Sequence, residues 1–176
     1  MPASLFRVDL ATAADIPTLL PLMEGLADFE HYRDTFAVTA DVLYRQGFAQ
    51  QPPDFYCLVA RHAEGHLGGL LVYYFLPFTA SATPTLFIKE LFVTEAYRGH
   101  HLGEALMRAA AQAAVAHGCG AVRWAVADWN TAGRRFYERL GAQANPVWVD
   151  YSLSGPALLA LADTPAPISQ KRNELQ

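Results

Sequence analysis

The segment YRGHHLGEAL, residues 97–106, combines residue types that favour anion binding. It follows the apolar run LFIKELFV and opens an alanine-rich stretch, which is the order of a strand, a tight loop and a helix. Amide groups at a helix N-terminus have no intrahelical acceptors and carry a partial positive charge. Gly99 and Gly103 would let a ligand approach the backbone closely, and Arg98 adds a full charge. The segment therefore predicts a site for a phosphate or pyrophosphate group.

Hydrophobic patterning predicts the elements that would position this loop. Strands are predicted at FRVDL, FYCLVAR, HLGGLLVYYFL, TLFIKELFV, GCGAVRWAVAD and PVWVDYSL. Helices are predicted after the caps Thr12 and Thr39, over residues 102–117 and within NTAGRRFYERLGA, with Pro21 kinking or shortening the first helix. This order predicts an α/β fold (α+β mixed) with a mixed, mostly antiparallel central sheet and helices on both faces. We expect one domain over residues 1–155 and a partly ordered C-terminal tail over residues 156–176.

Composition and charge exclude some classes of function. The 176 residues are 52% hydrophobic with a formal net charge of −4, which supports a folded core and argues against non-specific nucleic-acid binding. Cys57 and Cys119 lie in or near apolar runs and are expected to be buried free thiols. No apolar run approaches the roughly 20 residues of a membrane span, and the N-terminal sequence lacks a signal-peptide pattern. We therefore expect a cytoplasmic protein without a membrane partner.

The predicted anion-binding segment, residues 98–103, is called the anion loop below. It matches neither G-x-x-x-x-G-K-[ST] nor G-x-G-x-x-G, so it does not fit the common nucleotide-binding loops. The segment LFVTEAYRGHHLGEALM instead resembles the acetyl-CoA signature [QR]-x-x-G-x-[GA] of the GNAT superfamily of N-acetyltransferases. The resemblance implies that the loop holds the CoA pyrophosphate. The residues concerned are Arg98, Gly99, His100, His101, Leu102 and Gly103. His101 stands where the signature has glycine, so a positive φ there would carry a steric penalty.

A second block, VADWNTAGRRFYERLGA, resembles the later signature of the same superfamily, N-x-x-[AS]-x-x-[FL]-Y-x-x-x-G. Further segments, among them LADFEHY, DVLYRQGF, YYFLPFT and PVWVDYSL, resemble the spermidine/spermine (diamine) N-acetyltransferase family. The resemblance implies an acetyl-CoA-dependent enzyme that acetylates primary amines of polyamines or of small amino acids such as thialysine. It also implies a homodimer.

Acetyl transfer to an amine requires a neutral amine, a stabilised oxyanion and a protonated leaving thiolate. Because an alkylamine has a pKa of about 10.4, some group must remove its proton near neutral pH; a carboxylate can do this, directly or through water, and Glu90 is our candidate. Backbone amides at the end of LFIKELFV, at Phe92 and Val93, can polarise the thioester carbonyl. The resemblance assigns the general acid to Tyr137 in FYERLGA, and a phenol pKa of roughly 10 suits protonation of a thiolate.

Several of these positions also have a purely structural explanation. Tyr137 can be aromatic packing on a short helix, and Asn130 can cap that helix as well as contact the CoA arm. Arg98 can be a solvated loop charge. His100 and His101 are adjacent on a tight loop, and because such pairs rarely converge on one ion, no metal site is expected.

Fewer residues of the sequence point to how the acceptor amine is bound. Family members commonly have two adjacent acids where this chain has Lys89 and Glu90; a β-bulge there can bring both side chains near the cleft. Lys89 would repel a polycation but could pair with the carboxylate of an amino-acid-like amine. Glu30 matches an acid of the family that faces the acceptor, or is an exposed helix end. Trp148 lines the cleft or the dimer interface, or packs in the core.

Two other interpretations stay open at this point. The acceptor can be a peptide N-terminus or an aminoglycoside, or the chain can be a non-catalytic CoA-binding domain. His101 and Lys89 keep the non-catalytic alternative open, whereas Tyr137 and Asn130 argue against it.

Overall fold

The computed structural model describes residues 5–77, 80–147 and 149–163. Two compact units divide the chain, the first ending at Phe136 and the second beginning at Tyr137; the single-domain boundary expected at residue 155 stays a prediction. The elements are β1 Phe6–Leu10, α1 Ile16–Phe29, α2 Ala40–Gly47, β2 Tyr56–His62, β3 Leu67–Leu76, β4 Thr85–Val93, α3 Leu102–Ala116, β5 Ala121–Arg123, α4 Thr131–Arg139 and α5 Gly155–Asp163. In the described part of the chain, no helix is long and apolar enough to cross a bilayer.

The five strands form a single mixed sheet in the order β1-β2-β3-β4-β5. Neighbouring strands are antiparallel from β1 to β4, whereas β5 runs parallel to β4. The long connection through α3 joins these two parallel strands, as a parallel pair requires. The predicted mixed, mostly antiparallel sheet is confirmed.

Successive side chains of a strand point to opposite faces of the sheet. Apolar residues occur on both faces here, and helices cover both. On one face, Val59, Leu70 and Val72 pack in a core cluster with buried residues of α1 and α2. The intervening residues Leu58 and Leu71 are also buried and point to the opposite face. There α3 contacts β1, β2, β3 and β4, with an apolar stripe of buried side chains. That stripe consists of Leu102, Leu106, Met107, Ala110 and Ala114.

The start of α1 is tied to the sheet by a buried ion pair. Thr12 and Asp15 form a capping box around a short 3-10 turn, and the Thr12 amide donates to Asp15 Oδ2 at 2.8 Å. The guanidinium of Arg61 in β2 donates to both oxygens of Asp15, at 2.8 and 3.0 Å. These hydrogen bonds to Arg61 outweigh burial and lower the pKa of Asp15 to about 2.

Two predicted helix features have different outcomes. Thr39 caps α2 as predicted, with Oγ1 accepting from the Val42 amide at 3.2 Å. Pro21, which we expected to kink or shorten α1, does not shorten it, and the helix runs on to Phe29. Pro21 lies on the exposed face, where water can satisfy the carbonyl that its ring leaves unpaired, and the buried residues on either side hold the helix in place.

Three expectations on strands and thiols need correction. β5 is only three residues long, not the eleven-residue run of GCGAVRWAVAD. The predicted strand PVWVDYSL is absent from its described residues, where Val149 and Tyr151 are 74% and 94% exposed. Its alternating pattern was suitable for a strand, but a strand also needs a hydrogen-bonded neighbour, which alternation alone does not provide. Cys57 is buried as expected, with its pKa raised to about 12 by burial, whereas Cys119 is only partly buried.

We expect Asp15→Asn to destabilise the protein by about 2 kcal/mol at pH 7. This is the free energy of unfolding that corresponds to lowering the pKa of the Asp15 carboxyl from 3.8 to about 2 on folding. Because the native pKa is depressed, this stabilisation is complete above about pH 4 and is lost as the pH falls toward 2. Urea unfolding of both proteins at pH 7 and pH 3 measures this. The exposed pair of Asp41 and Arg45 provides the control, since Asp41→Asn should cost less than about 1 kcal/mol. Equal losses in the two variants would contradict the prediction.

Candidate active site

A β-bulge in β4 brings two charged side chains together. Val72 pairs with Glu90 and the next residue of β3, Tyr73, pairs with Ile88, so Lys89 is the extra residue on β4. Lys89 Nζ lies 3.9 Å from Glu90 Oε1, although neighbours in a regular strand would point to opposite faces. The Glu90 side chain is 21% exposed and that of Lys89 is 60% exposed. The bulge that the sequence analysis allowed for is therefore present.

Two further groups, Glu30 and Tyr32, show that the chain at the end of α1 approaches this bulge. Burial raises the pKa of Glu90, Lys89 lowers it, and Glu30 raises it again. Burial, followed by the charges of Glu90 and Glu30, raises the pKa of Tyr32 to about 12. Glu30 is the exposed C-cap of α1, as one of its two explanations requires, and its role toward the acceptor stays a prediction. Tyr32 was missed by the sequence analysis; its position two residues after Glu30 in FEHY was the available signal.

The sheet opens between β4 and β5 immediately before this bulge. The parallel pairing ends at Phe87 and Arg123, while β4 continues to Val93. In the described residues, β5 therefore leaves the last six residues of β4, 88–93, without strand pairing on that edge. Phe92 and Val93, the predicted carbonyl-polarising positions, both lie in this open stretch. The Phe92 ring packs against Gly25 of α1, where an added Cβ would lie 3.1 Å from the ring.

The anion loop is held against β3 by Gly68. The amide and hydroxyl of Thr94 both donate to the Gly68 carbonyl, at 3.0 and 3.3 Å. A Cβ added to Gly68 would lie 2.7 Å from Phe6, 2.9 Å from Leu102 and 3.0 Å from Tyr97. Only glycine thus allows the loop and the first residue of α3 to pack this closely on the strand. The sequence analysis did not single out Gly68.

The N-terminus of α3 has the geometry of an anion site. His101 is its N-cap with φ 59° and ψ 13°, and its side chain makes no capping hydrogen bond. The first-turn amides, residues 102–104, lack intrahelical acceptors as in any α-helix. Gly99 also has a positive φ, of 81°, whereas Gly103 allows close packing, since an added Cβ would lie 3.3 Å from the Phe136 ring. His101 therefore carries the left-handed conformation anticipated for it, at a cost of about 1–2 kcal/mol.

Arg98 lies between the loop and the neighbouring elements. Its Nε donates to the Val93 carbonyl at 3.3 Å, and its guanidinium carbon lies 5.3 Å from the centre of the Phe29 ring. These two contacts hold the side chain, although Arg98 is an exposed residue. It places a positive charge where β4 ends, next to the first turn of α3. His100 is an exposed residue of the same loop.

The second signature block places Asn130 at the start of α4. Its Oδ1 accepts from the Gly133 amide at 2.8 Å, so Asn130 caps the helix as one of its two explanations required. Next to it, Trp129 packs 5.6 Å from the Phe29 ring and 5.8 Å from His31. This contact joins the chain after β5 to the end of α1, across the opening of the sheet.

Two predicted site residues, Tyr137 and Trp148, follow the first unit in the chain. Tyr137 is the first residue of the second unit; its carbonyl accepts from the amides of Leu140 and Ala142, at 3.0 and 3.1 Å, before Gly141 with φ 87° ends the helix. Its role as general acid stays a prediction. Trp148 lies outside the described residues.

A mixed sheet that opens between two parallel strands, beside a helix N-terminus, is an arrangement that can hold the pyrophosphate of a nucleotide cofactor. The model of the acetyltransferase (GNAT) family matches residues 23–142. The chain therefore belongs to the GNAT family and is an acyltransferase, and enzymes of this family use acetyl-CoA as co-substrate.

Individual relatives agree with this assignment. The thialysine N-epsilon-acetyltransferase of Mus musculus is 30% identical over 166 residues, covering 89% of this chain and 96% of the mouse protein. The spermidine/spermine N(1)-acetyltransferase-like protein 1 of Homo sapiens is 32% identical over 143 residues, which are 78% of this chain but 20% of the human protein. An integron cassette protein of Vibrio cholerae has a similar fold, with a TM-score of 0.76, 20% identity, and coverage of 91% of this chain and 99% of that one.

We expect His101→Gly to stabilise the protein by up to about 1 kcal/mol, because relief of the left-handed strain exceeds the entropy that glycine loses on folding. Acetyl-CoA should bind no more tightly, because glycine leaves the free loop less preorganised. Thermal unfolding and calorimetric titration measure the two effects. His100→Gly is the matched control, since His100 has a negative φ and its replacement should only destabilise. A loss of stability in His101→Gly equal to that of the control would refute the strain at His101.

Proposed function

We propose that the protein transfers the acetyl group of acetyl-CoA to a primary amine of a small molecule, namely a polyamine, a diamine or a thialysine-like amino acid. The observation that carries this proposal is the meeting of Glu30, Glu90 and Lys89 at the opening between β4 and β5. Two carboxylates attract an ammonium group, and the lysine beside Glu90 can pair with a carboxylate. A lysine-like amino acid offers both groups, so we place it first among the acceptors.

The cofactor side of the proposal rests on the loop and the open edge of β4. The amides of residues 102–104 and the charge of Arg98 would hold the pyrophosphate, with residues 99–101 shaping the loop around it. Asn130 would contact the CoA arm while still capping α4. Bound acetyl-CoA would supply the thioester that the amine attacks. The backbone amides of Phe92 and Val93 would donate to the thioester oxygen as it gains charge.

The proton transfers are assigned to Glu90 and Tyr137. Burial raises the pKa of Glu90, which makes its carboxylate a stronger base for removing the proton of the acceptor ammonium. Tyr137 would then protonate the departing sulfur through its hydroxyl group. Tyr32 keeps its proton over the whole physiological range, because its pKa is about 12, and would donate a hydrogen bond within the same acidic group.

Acceptor choice can be tested with molecule pairs that differ only in a carboxylate. We expect kcat/KM for ornithine to exceed that for putrescine by at least about 10-fold, equivalent to 1.4 kcal/mol, with lysine and cadaverine behaving in the same way. Lys89→Met should remove most of this preference by lowering the value for the amino acids alone. A wild-type preference for the diamines, or for spermidine over thialysine, would refute the role of Lys89. A preference for peptides or aminoglycosides would refute the acceptor class.

The charges around Glu90 predict opposite pH shifts in two variants. Glu30 raises the pKa of Glu90, so Glu30→Gln should move the acidic limb of the kcat/KM profile to lower pH. Lys89 lowers that pKa, so Lys89→Met should move the same limb to higher pH. The sign follows because the base works only when ionised, and activity is lost as the pH falls through its pKa. Shifts in the same direction would show that another group is the base.

Tyr137→Phe should lower kcat by about 10²-fold or more while leaving the Kd of acetyl-CoA unchanged, because only proton donation is removed. Steady-state thiol release and calorimetry measure the two quantities. Unchanged turnover would remove Tyr137 from its role. Absence of turnover with every amine in the wild-type protein, despite CoA binding, would instead favour a CoA-binding domain without catalysis.

We also propose that the enzyme is a cytoplasmic homodimer, in line with its resemblance to the diamine acetyltransferases. The second unit exposes several large apolar side chains that a second copy could cover. They include Val149, Tyr151, Leu159 and Leu161. Sedimentation velocity would decide between monomer and dimer.

A further inference from the structure

The hairpin between β2 and β3 brings two histidines and a glutamate together. The sequence here is HAEGH, residues 62–66. The Gly65 amide donates to the His62 carbonyl and the His62 amide to the His66 carbonyl, both at 2.9 Å, and Gly65 has φ 96°. This is a three-residue hairpin loop with glycine at the left-handed position. It sets His62 opposite His66 and leaves Glu64 at the tip between them.

The three side chains are close enough to share an ion. One potential ligand atom from each of His62, Glu64 and His66 lies within 4.8 Å of the other two. His62 Nδ1 is 3.7 Å from Glu64 Oε2 and accepts from the Glu64 amide at 3.2 Å, and the two imidazole rings are stacked with centres 4.2 Å apart. Bonds of about 2.0–2.2 Å to one tetrahedral ion would place the ligand atoms about 3.4 Å apart. An ion would therefore require the two rings to turn out of the stack, and Glu64, which is 80% exposed, is free to follow them.

Tyr97 selects the nitrogen of His66 that faces the ion. Its hydroxyl lies 2.7 Å from His66 Nε2, so that nitrogen is engaged and Nδ1 is left for a metal. A hydrogen bond of this kind to the non-ligating nitrogen is common at metal-binding histidines and orients the ring. The Phe6 ring, 4.9 Å from both His62 and Tyr97, forms an apolar floor under the group. Tyr97 and Phe6 thus hold the potential ligands in place from behind.

We propose that His62, Glu64 and His66 form a binding site for a divalent transition-metal ion, with Zn²⁺ as the best match. Two imidazoles, one carboxylate and a water would complete a tetrahedral Zn²⁺ site, whereas Ca²⁺ and Mg²⁺ require mainly oxygen ligands. The expectation of no metal site considered only His100 and His101, and this turn lies outside the catalytic machinery. Tyr97 belongs to the 3-10 turn that leads into the anion loop, so the ion would stiffen the segment preceding residues 98–103.

The test is a calorimetric titration of chelator-treated full-length protein with Zn²⁺ alone. We expect one ion per chain with a Kd below about 10 μM. Glu64→Gln should weaken binding at least about 10-fold and, because Glu64 is exposed, should leave the circular dichroism spectrum unchanged. His66→Ala should abolish binding, and Tyr97→Phe should weaken it about 10-fold by releasing the His66 ring.

Two control variants separate this site from incidental binding. His100→Ala and Cys119→Ser each remove a metal-binding side chain elsewhere in the chain and should leave the Kd unchanged. Absence of binding up to about 100 μM Zn²⁺ would overturn the proposal. So would binding that Glu64→Gln does not weaken, or binding that is lost in either control variant.

Discussion

The candidate site depends on one interruption of backbone pairing: β5 accompanies β4 for three residues only. Beyond that point β4 has no strand partner on this edge among the described residues, and its bulge at Lys89 turns two consecutive charged side chains toward the same region. The helix α3 starts beside the end of the same strand. Because all three features lie along nine residues of β4, the thioester, the amine and the pyrophosphate can be aligned by a single rigid element.

Burial and charge act in opposition around Glu90. Withdrawal from water favours its protonated form, and the nearby Glu30 adds to this, while Lys89 restores part of the ionised form. A fully buried, unpaired acid would lose its charge near neutral pH, and a fully exposed one would be a weak base. Partial burial beside one lysine therefore leaves Glu90 with a raised pKa, which suits the role of base proposed for it.

The local features were predictable from the sequence, and the long-range ones were not. The strand, glycine loop and helix around residues 98–103 were predictable because their patterns follow one another in the sequence, whereas the positive φ of His101 was raised there only as a condition. The meeting of Tyr32 with Glu90 depends on how α1 ends against β4, which no short pattern encodes. PVWVDYSL had the alternation of a strand, but the formation of a strand also depends on a neighbour that the pattern cannot reveal.

The contact between Gly68 and the anion loop has a consequence for protein engineering. Since Gly68 and its neighbour Gly69 accept the close approach of Thr94, Leu102 and the Phe92 carbonyl, the shape of the loop is stored partly in a different strand. A chimera that imports only residues 94–103 of another acetyltransferase would place a foreign loop on a surface shaped for this one. When cofactor loops are exchanged within the family, the two glycines of β3 and the loop should therefore be transferred together.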